Sequence, residues 1–155
     1  MSITNIINYL KTNLHLTDIT LGEGASEELI AKVEATYSII LPEDIKEFYR
    51  FTNGFESAED IFRIIPLEEM IENETKSKDA PLEIAEYLIY IDGWYLQIDP
   101  TDSSNYEIFT TNPEDIVLTN SFAEFLQKFL DGGVFEKGGL YDWASELTNN
   151  VKTNL

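Results

Sequence analysis

The chain has 155 residues, 43% of them hydrophobic and 12% aromatic, enough for one domain to bury its own core without a metal or a disulfide. It has no cysteine, which excludes a disulfide framework, a thiol nucleophile and a thiolate metal site. Its 29 Asp and Glu against 10 Lys and Arg give a formal net charge of -19. Such a charge disfavours direct binding to nucleic acid or anionic lipid, where Lys and Arg must meet phosphate.

The N-terminal stretch MSITNIINYLKTNLHL lacks a basic n-region and a small-residue cleavage site, so no signal peptide is expected. No run approaches the roughly 18 consecutive apolar residues of a membrane span, and a soluble, cytoplasmic protein is expected. Ile3, Ile6, Ile7, Leu10 and Leu14 recur at the spacing of one helical face, with Ser2 placed to cap them. His15, the single histidine, falls just past that stripe and reads as a helix-end residue, and a histidine metal cluster is impossible. A second helix follows Ser26, with Glu27 and Glu28 in the dipole-favoured first turn and Leu29, Ile30, Val33 and Tyr37 on its apolar face.

The stretch LPEDIKEFYRFTNGFES predicts a third helix, begun by Pro42 at its first position, carrying Ile45, Phe48 and Tyr49 inward, and stopped by Asn53-Gly54. DIFRIIP predicts a short strand ended by Pro66, and PLEEMIENE a short helix begun by it. NETKSKDAP reads as a polar loop. In YLIYIDGWYLQI, Asp92-Gly93 suits a two-residue hairpin turn that pairs Ile91 with Trp94, Ile89 with Leu96, and Tyr87 with Ile98 on the core side. Tyr90 beside Tyr95, and Leu88 beside Gln97, then fall on the opposite face. DPTDSSN reads as a loop, and YEIFT and EDIVLT as further strands of a largely antiparallel sheet.

Ser121 and Glu124 form a capping-box pattern ahead of Phe122, Phe125, Leu126, Phe129 and Leu130, a helix that ends near Gly132. A short last helix around Tyr141 to Leu147 is expected, with TNNVKTNL frayed beyond it. Together the elements predict a single α+β domain over residues 1–155, helices packed against one sheet.

Catalytic patterns are weak. Any Ser-His pair would rest on His15 alone, and neither GEG nor DGG resembles a phosphate loop. Carboxylates for a glycosidase-type pair are too abundant to single one out. DPTDSSNYE offers oxygen ligands for calcium, but Ser104 stands where a calcium loop needs glycine and Thr110 where it needs an acid. A turn bonded to its own backbone is the better reading. No enzyme activity, no cofactor and no metal are expected.

LPEDIKEFYRFTNGFES followed by IIPLEEM, then IYIDGWYLQID and LTNSFAEFLQKFL, in that order over about Ala25 to Leu130, resembles the SUKH superfamily. That group includes fungal cell-wall-synthesis regulators and many bacterial immunity proteins. Phe55 departs from the pattern, where many members have a further glycine. The resemblance implies a non-catalytic α+β domain, SUKH-like, that binds a protein partner. In the immunity branch the partner is a contact-delivered or secreted toxin domain of a polymorphic toxin system, a basic nuclease being one candidate. The alternative is a regulatory protein–protein interaction scaffold.

Acid without compensating base supports a partner surface. No basic residue lies between Lys78 and Lys128, whereas Asp92, Asp99, Asp102 and Glu107 do. These four are the candidate partner-binding charges, with Tyr90 and Tyr95 as candidate aromatic anchors.

Overall fold

The computed structural model describes residues 2–73 and 80–153. Most of the polar stretch NETKSKDAP (74–79) and the last two residues of TNNVKTNL lie outside the described residues.

Three serines start three helices as their sequences require. Ser2, Ser26 and Ser121 each accept a 3.2 Å hydrogen bond at Oγ from the backbone N–H three residues on. They open α1 (Ile3–Asn13), α2 (Glu27–Tyr37) and α5 (Phe122–Gly132). His15 is exposed in the single 3-10 turn that follows α1. Pro42 and Pro66 sit one residue earlier than expected, at the N-caps of α3 (Glu43–Phe51) and α4 (Leu67–Glu72).

Asn53-Gly54 also works differently from its expected role. Helix α3 is already ended by the extended Thr52, and Gly54 at φ 80° turns the chain into the sheet, where a Cβ would strike the Ile64 carbonyl. Asn53 instead caps α4 from outside: its Oδ1 accepts from Leu67 N–H at 2.9 Å.

The strands are β1 (Ile19–Leu21), β2 (Phe55–Ser57), β3 (Phe62–Ile64), β4 (Leu82–Tyr87), β5 (Asp92–Asp99), β6 (Asp102–Thr110) and β7 (Ile116–Thr119). They form one seven-stranded sheet in chain order, every neighbouring pair antiparallel. The chain is thus α+β, as its pattern of elements implies. The three-residue strands β1 and β2 are too short for alternation to reveal.

Alternation sorts the sheet into two faces. Phe55, Phe62, Ile64, Trp94, Leu96, Ile98, Tyr106 and Ile108 are buried on the inner one. Helices α3 and α5 cover it: Phe48 lies 6.3 Å from Phe55 and 5.1 Å from Phe122, Phe62 stacks 4.1 Å from Phe129, and Trp94 lies 6.2 Å from Phe125. Two tyrosines fasten the layer through their hydroxyls. Tyr49 donates to the Ile65 carbonyl at 2.8 Å, and Tyr106 donates to Asp44 while accepting from Phe122 N–H. Burial raises both phenols above their ordinary range, so both remain neutral donors. The final helix, α6 (Leu140–Thr153), runs past the expected Leu147 into the stretch read as frayed, with Trp143, Ala144 and Thr148 buried.

The central hairpin needs a larger correction. Asp92-Gly93 is not its turn: Tyr87 pairs with Asp92, Glu86 with Gly93, Ala85 with Trp94 and Leu82 with Leu96. The chain reverses through Leu88, Ile89, Tyr90 and Ile91, and Ile89 and Ile91 stand 79% and 73% exposed instead of in the core. Leu88, Ile89 and Tyr90 have φ of 52°, 51° and 64°, a left-handed run built without glycine. The carboxylate of Glu86 helps to select it by accepting from Tyr90 N–H at 2.6 Å. The inward faces of β5 are nevertheless as expected, because Trp94, Leu96 and Ile98 alternate correctly whichever partner strand they meet.

These placements separate two substitutions. Trp94→Ala is expected to lower unfolding stability by about 3–5 kcal/mol, whereas Ile89→Ala stays within about 0.5 kcal/mol of the parent, both read by urea unfolding. A cost of several kcal/mol at Ile89 would instead favour the Asp92-Gly93 turn.

Candidate partner-binding face

The side of the sheet facing away from α3 and α5 collects the alternate residues. Thr20, Glu56 and Arg63 align across β1, β2 and β3, and Arg63 continues to Glu86 and Gly93. A second row runs Glu83, Tyr95, Phe109 and Val117, and a third pairs Gln97 with Glu107. Tyr95 and Phe109 stack at 5.5 Å and 27°, and Val117 beside them is 49% exposed. The result is an aromatic strip edged by carboxylates.

Charge on the strands is lopsided. Glu56, Glu83, Glu86, Asp92, Asp99, Asp102 and Glu107 face a single basic strand residue, Arg63. Arg63 is already engaged: it donates to Glu69 through both terminal nitrogens at 2.7 and 2.8 Å and to the buried Glu86 at 2.6 Å. These bonds raise its pKa further and hold Glu69 below the usual carboxylate range. Arg63 therefore cannot neutralise the remaining acids.

Of the sequence candidates, Tyr95 and Glu107 lie together on this face. Asp92 does not join them as a surface charge. It is 8% exposed, its Oδ2 accepting from Tyr141 at 2.6 Å and from Asn112 at 3.1 Å, so it anchors α6 to the sheet. Asp99 and Asp102 sit at the far end of β5 and β6, about 23 Å from Asp92 at the usual strand rise.

At that far end the two acids bond to their own chain. Asp99 accepts from the N–H and hydroxyl of Thr101 at 2.8 and 2.7 Å, and Asp102 from those of Ser104 at 3.0 and 2.6 Å. The Thr101 hydroxyl and N–H, with Asn105, lower the pKa of Asp99. Tyr90 belongs to the opposite end, in the left-handed turn, where its hydroxyl donates to Glu69 at 2.7 Å and accepts from Asn73 at 2.8 Å. The six candidates thus span the whole length of the hairpin.

Sequence reasoning missed Phe109 and Glu83. The alternation in YEIFT places Phe109 on the same face as Glu107, but only the register to β5 sets it against Tyr95. Glu83 lies over Gly93, in the space a side chain would fill, close to the Tyr95 hydroxyl. Burial, then the charges of Glu86 and Asp92, push its carboxyl up to about 7.

Helices on the inner face of one antiparallel sheet, and an acidic-aromatic outer face, make this an α+β domain. Residues 24–128 match the SMI1 / KNR4 family (SUKH-1), and the chain belongs to that family. No curated protein matches it significantly. Among the described residues, no helix is long and apolar enough to cross a membrane.

The position of Glu83 gives a pH dependence. The folded chain keeps its proton up to about pH 7, while the unfolded chain releases it near the ordinary carboxyl value of 4.5, so stability from this group falls as pH rises through that window. Glu83→Gln is expected to melt above the parent at pH 8 and with it at pH 4, in paired thermal melts. An equal or lower melting temperature at pH 8 would contradict this.

Proposed function

We propose that the chain is a non-enzymatic immunity protein that binds and neutralises a contact-delivered or secreted bacterial toxin domain, a basic nuclease being the first candidate. The observation that carries this reading is the outer face: the exposed Glu107 lies beside the Tyr95–Phe109 stack while Arg63, the one basic residue on the described strands, is held by Glu69 and Glu86. Family membership is consistent with it. Glu107 beside the flat rings, with Asp99 and Asp102 beyond the end of the face, would present to a basic cleft anions such as a phosphate backbone presents. The face would occupy that cleft without offering a bond to cleave. Long-range attraction would speed the encounter, and buried aromatics would slow release.

The acids divide by how freely they can serve. Glu107 is exposed on the face itself, and Asp99 and Asp102 extend the negative potential beyond its end. Tyr95 contributes ring area, with its hydroxyl kept neutral because burial and the nearby Glu83 and Asp92 charges raise its pKa.

Calorimetric titration against the C-terminal domain of any toxin encoded beside the gene tests the reading. Expected is binding that abolishes toxin activity and weakens as salt rises. Reversing Asp99, Asp102 and Glu107 together to Lys is expected to weaken binding at low salt and flatten its salt dependence. Unchanged affinity in that variant would remove this surface. Failure of the parent to bind at either salt would remove this toxin as partner and favour the regulatory scaffold.

A further inference from the structure

Three loops meet at the Asp92 end of the sheet. The turn between β2 and β3 touches the turn between β4 and β5 through Leu88 N–H to the Ile61 carbonyl, 2.9 Å. The loop between α5 and α6 joins them: Val134 N–H donates to Asp60 at 2.9 Å, and Phe135 packs edge-on against Tyr87 at 5.1 Å. From these loops project Ile61 at 49% exposure, Ile89 at 79%, Ile91 at 73% and Phe135 at 54%. Large apolar side chains grouped this way on a strongly charged molecule mark a contact surface.

The backbone beneath them is held against its preference. Ile61 at φ 51° and Ile89 at φ 51° are β-branched residues in the left-handed region, where glycine or asparagine would sit with less strain. Such conformations persist when surrounding contacts over-determine them, and here they do. Glu86 accepts from Tyr90 N–H, Glu69 accepts from the Tyr90 hydroxyl, and Arg63 ties both carboxylates together while lying 5.8 Å from the Tyr90 ring. The clamp fixes Tyr90 and leaves its isoleucine neighbours pointing into solvent.

Beside the tip lies a hollow of about 310 Å³ whose lining includes Asp18, Glu59, Asp60, Asp131 and Glu136 and, among the described residues, no basic one. Glu59 and Asp60 precede Ile61 in the chain, and Glu136 follows Phe135, so the acidic hollow borders the apolar tip directly. We infer that Ile61, Ile89, Ile91 and Phe135 form an apolar plug that seats in a socket on the partner protein, with basic side chains from the socket rim entering the acidic hollow. The occupant is the toxin domain of the proposed function, on which this inference rests. Charge selects it over two other occupants: a second copy would bring another net -19, and an anionic bilayer would repel both.

The test compares the parent with Ile89→Ser/Ile91→Ser, whose exposed positions leave the fold intact by circular dichroism and melting. Both are titrated calorimetrically against the C-terminal domain of any toxin encoded beside the gene, at one salt concentration. The expected result is a loss of affinity of about tenfold or more. Parallel loss on Phe135→Ser, and a shallower salt dependence on Glu59→Gln/Glu136→Gln, would support the plug and its rim. Full affinity in the Ile89→Ser/Ile91→Ser variant would overturn the plug while leaving the immunity reading intact. Absence of parent binding would overturn both. Co-sedimentation of the parent with vesicles of phosphatidylcholine and phosphatidylserine, lost in the double variant, would overturn the protein occupant in favour of a membrane.

Discussion

Phe62 has Phe129 stacked against it on one side and Trp94 and Phe55 at its edges, and this aromatic seam joins the sheet to α5. Phe48 extends it to α3 through Phe55 and Phe122. Each such pair adds about 0.5–1.5 kcal/mol beyond the apolar area it buries, and the rings are inflexible spacers that fix the distance between layers. Because the seam lies on one face of the sheet, the rest follows. Helices gather there, and alternation leaves Tyr95, Gln97, Glu107 and Phe109 of β5 and β6 on the other side.

Helix starts were plain in the sequence because they depend on local chemistry. A serine ahead of an apolar stripe does the same work at Ser2, Ser26 and Ser121 whatever the remainder of the chain does. Strand faces were legible for a similar reason, since Trp94, Leu96 and Ile98 are spaced by two. Pairing was not. Asp92-Gly93 has strong turn chemistry, yet Tyr141 and Asn112 hold the Asp92 carboxylate inside the sheet and Glu86 captures Tyr90 N–H in a turn over Leu88 to Ile91, so that Trp94 pairs with Ala85 instead of Ile91. Asn112 and Tyr141 lie far along the chain from Asp92, and no local pattern announces them.

The candidate site was legible to the same degree. Counting acids found the negative segment, but counting cannot distinguish Asp92, which anchors a helix, from Glu107, which meets solvent. It also passed over residues whose role comes only from register. Phe109 gains significance by stacking on Tyr95, and Glu83 by lying over a glycine. Ile89 and Ile91 were hidden for the opposite reason: their apolar character read as core, whereas the turn that Glu86 helps to hold puts them outward.

The proposal for this SUKH-1 family member is that it recognises a partner with the outer face of the sheet and its loop end, not with its helical layer. Hydrogen exchange of the chain, alone and saturated with a toxin domain that it binds, tests that proposal most directly. The account predicts added protection in residues 88–97, 105–109 and 133–137, with α1 and α2 unchanged. Protection confined to α1 and α2, with the hairpin and its turn exchanging as in the free protein, would contradict it.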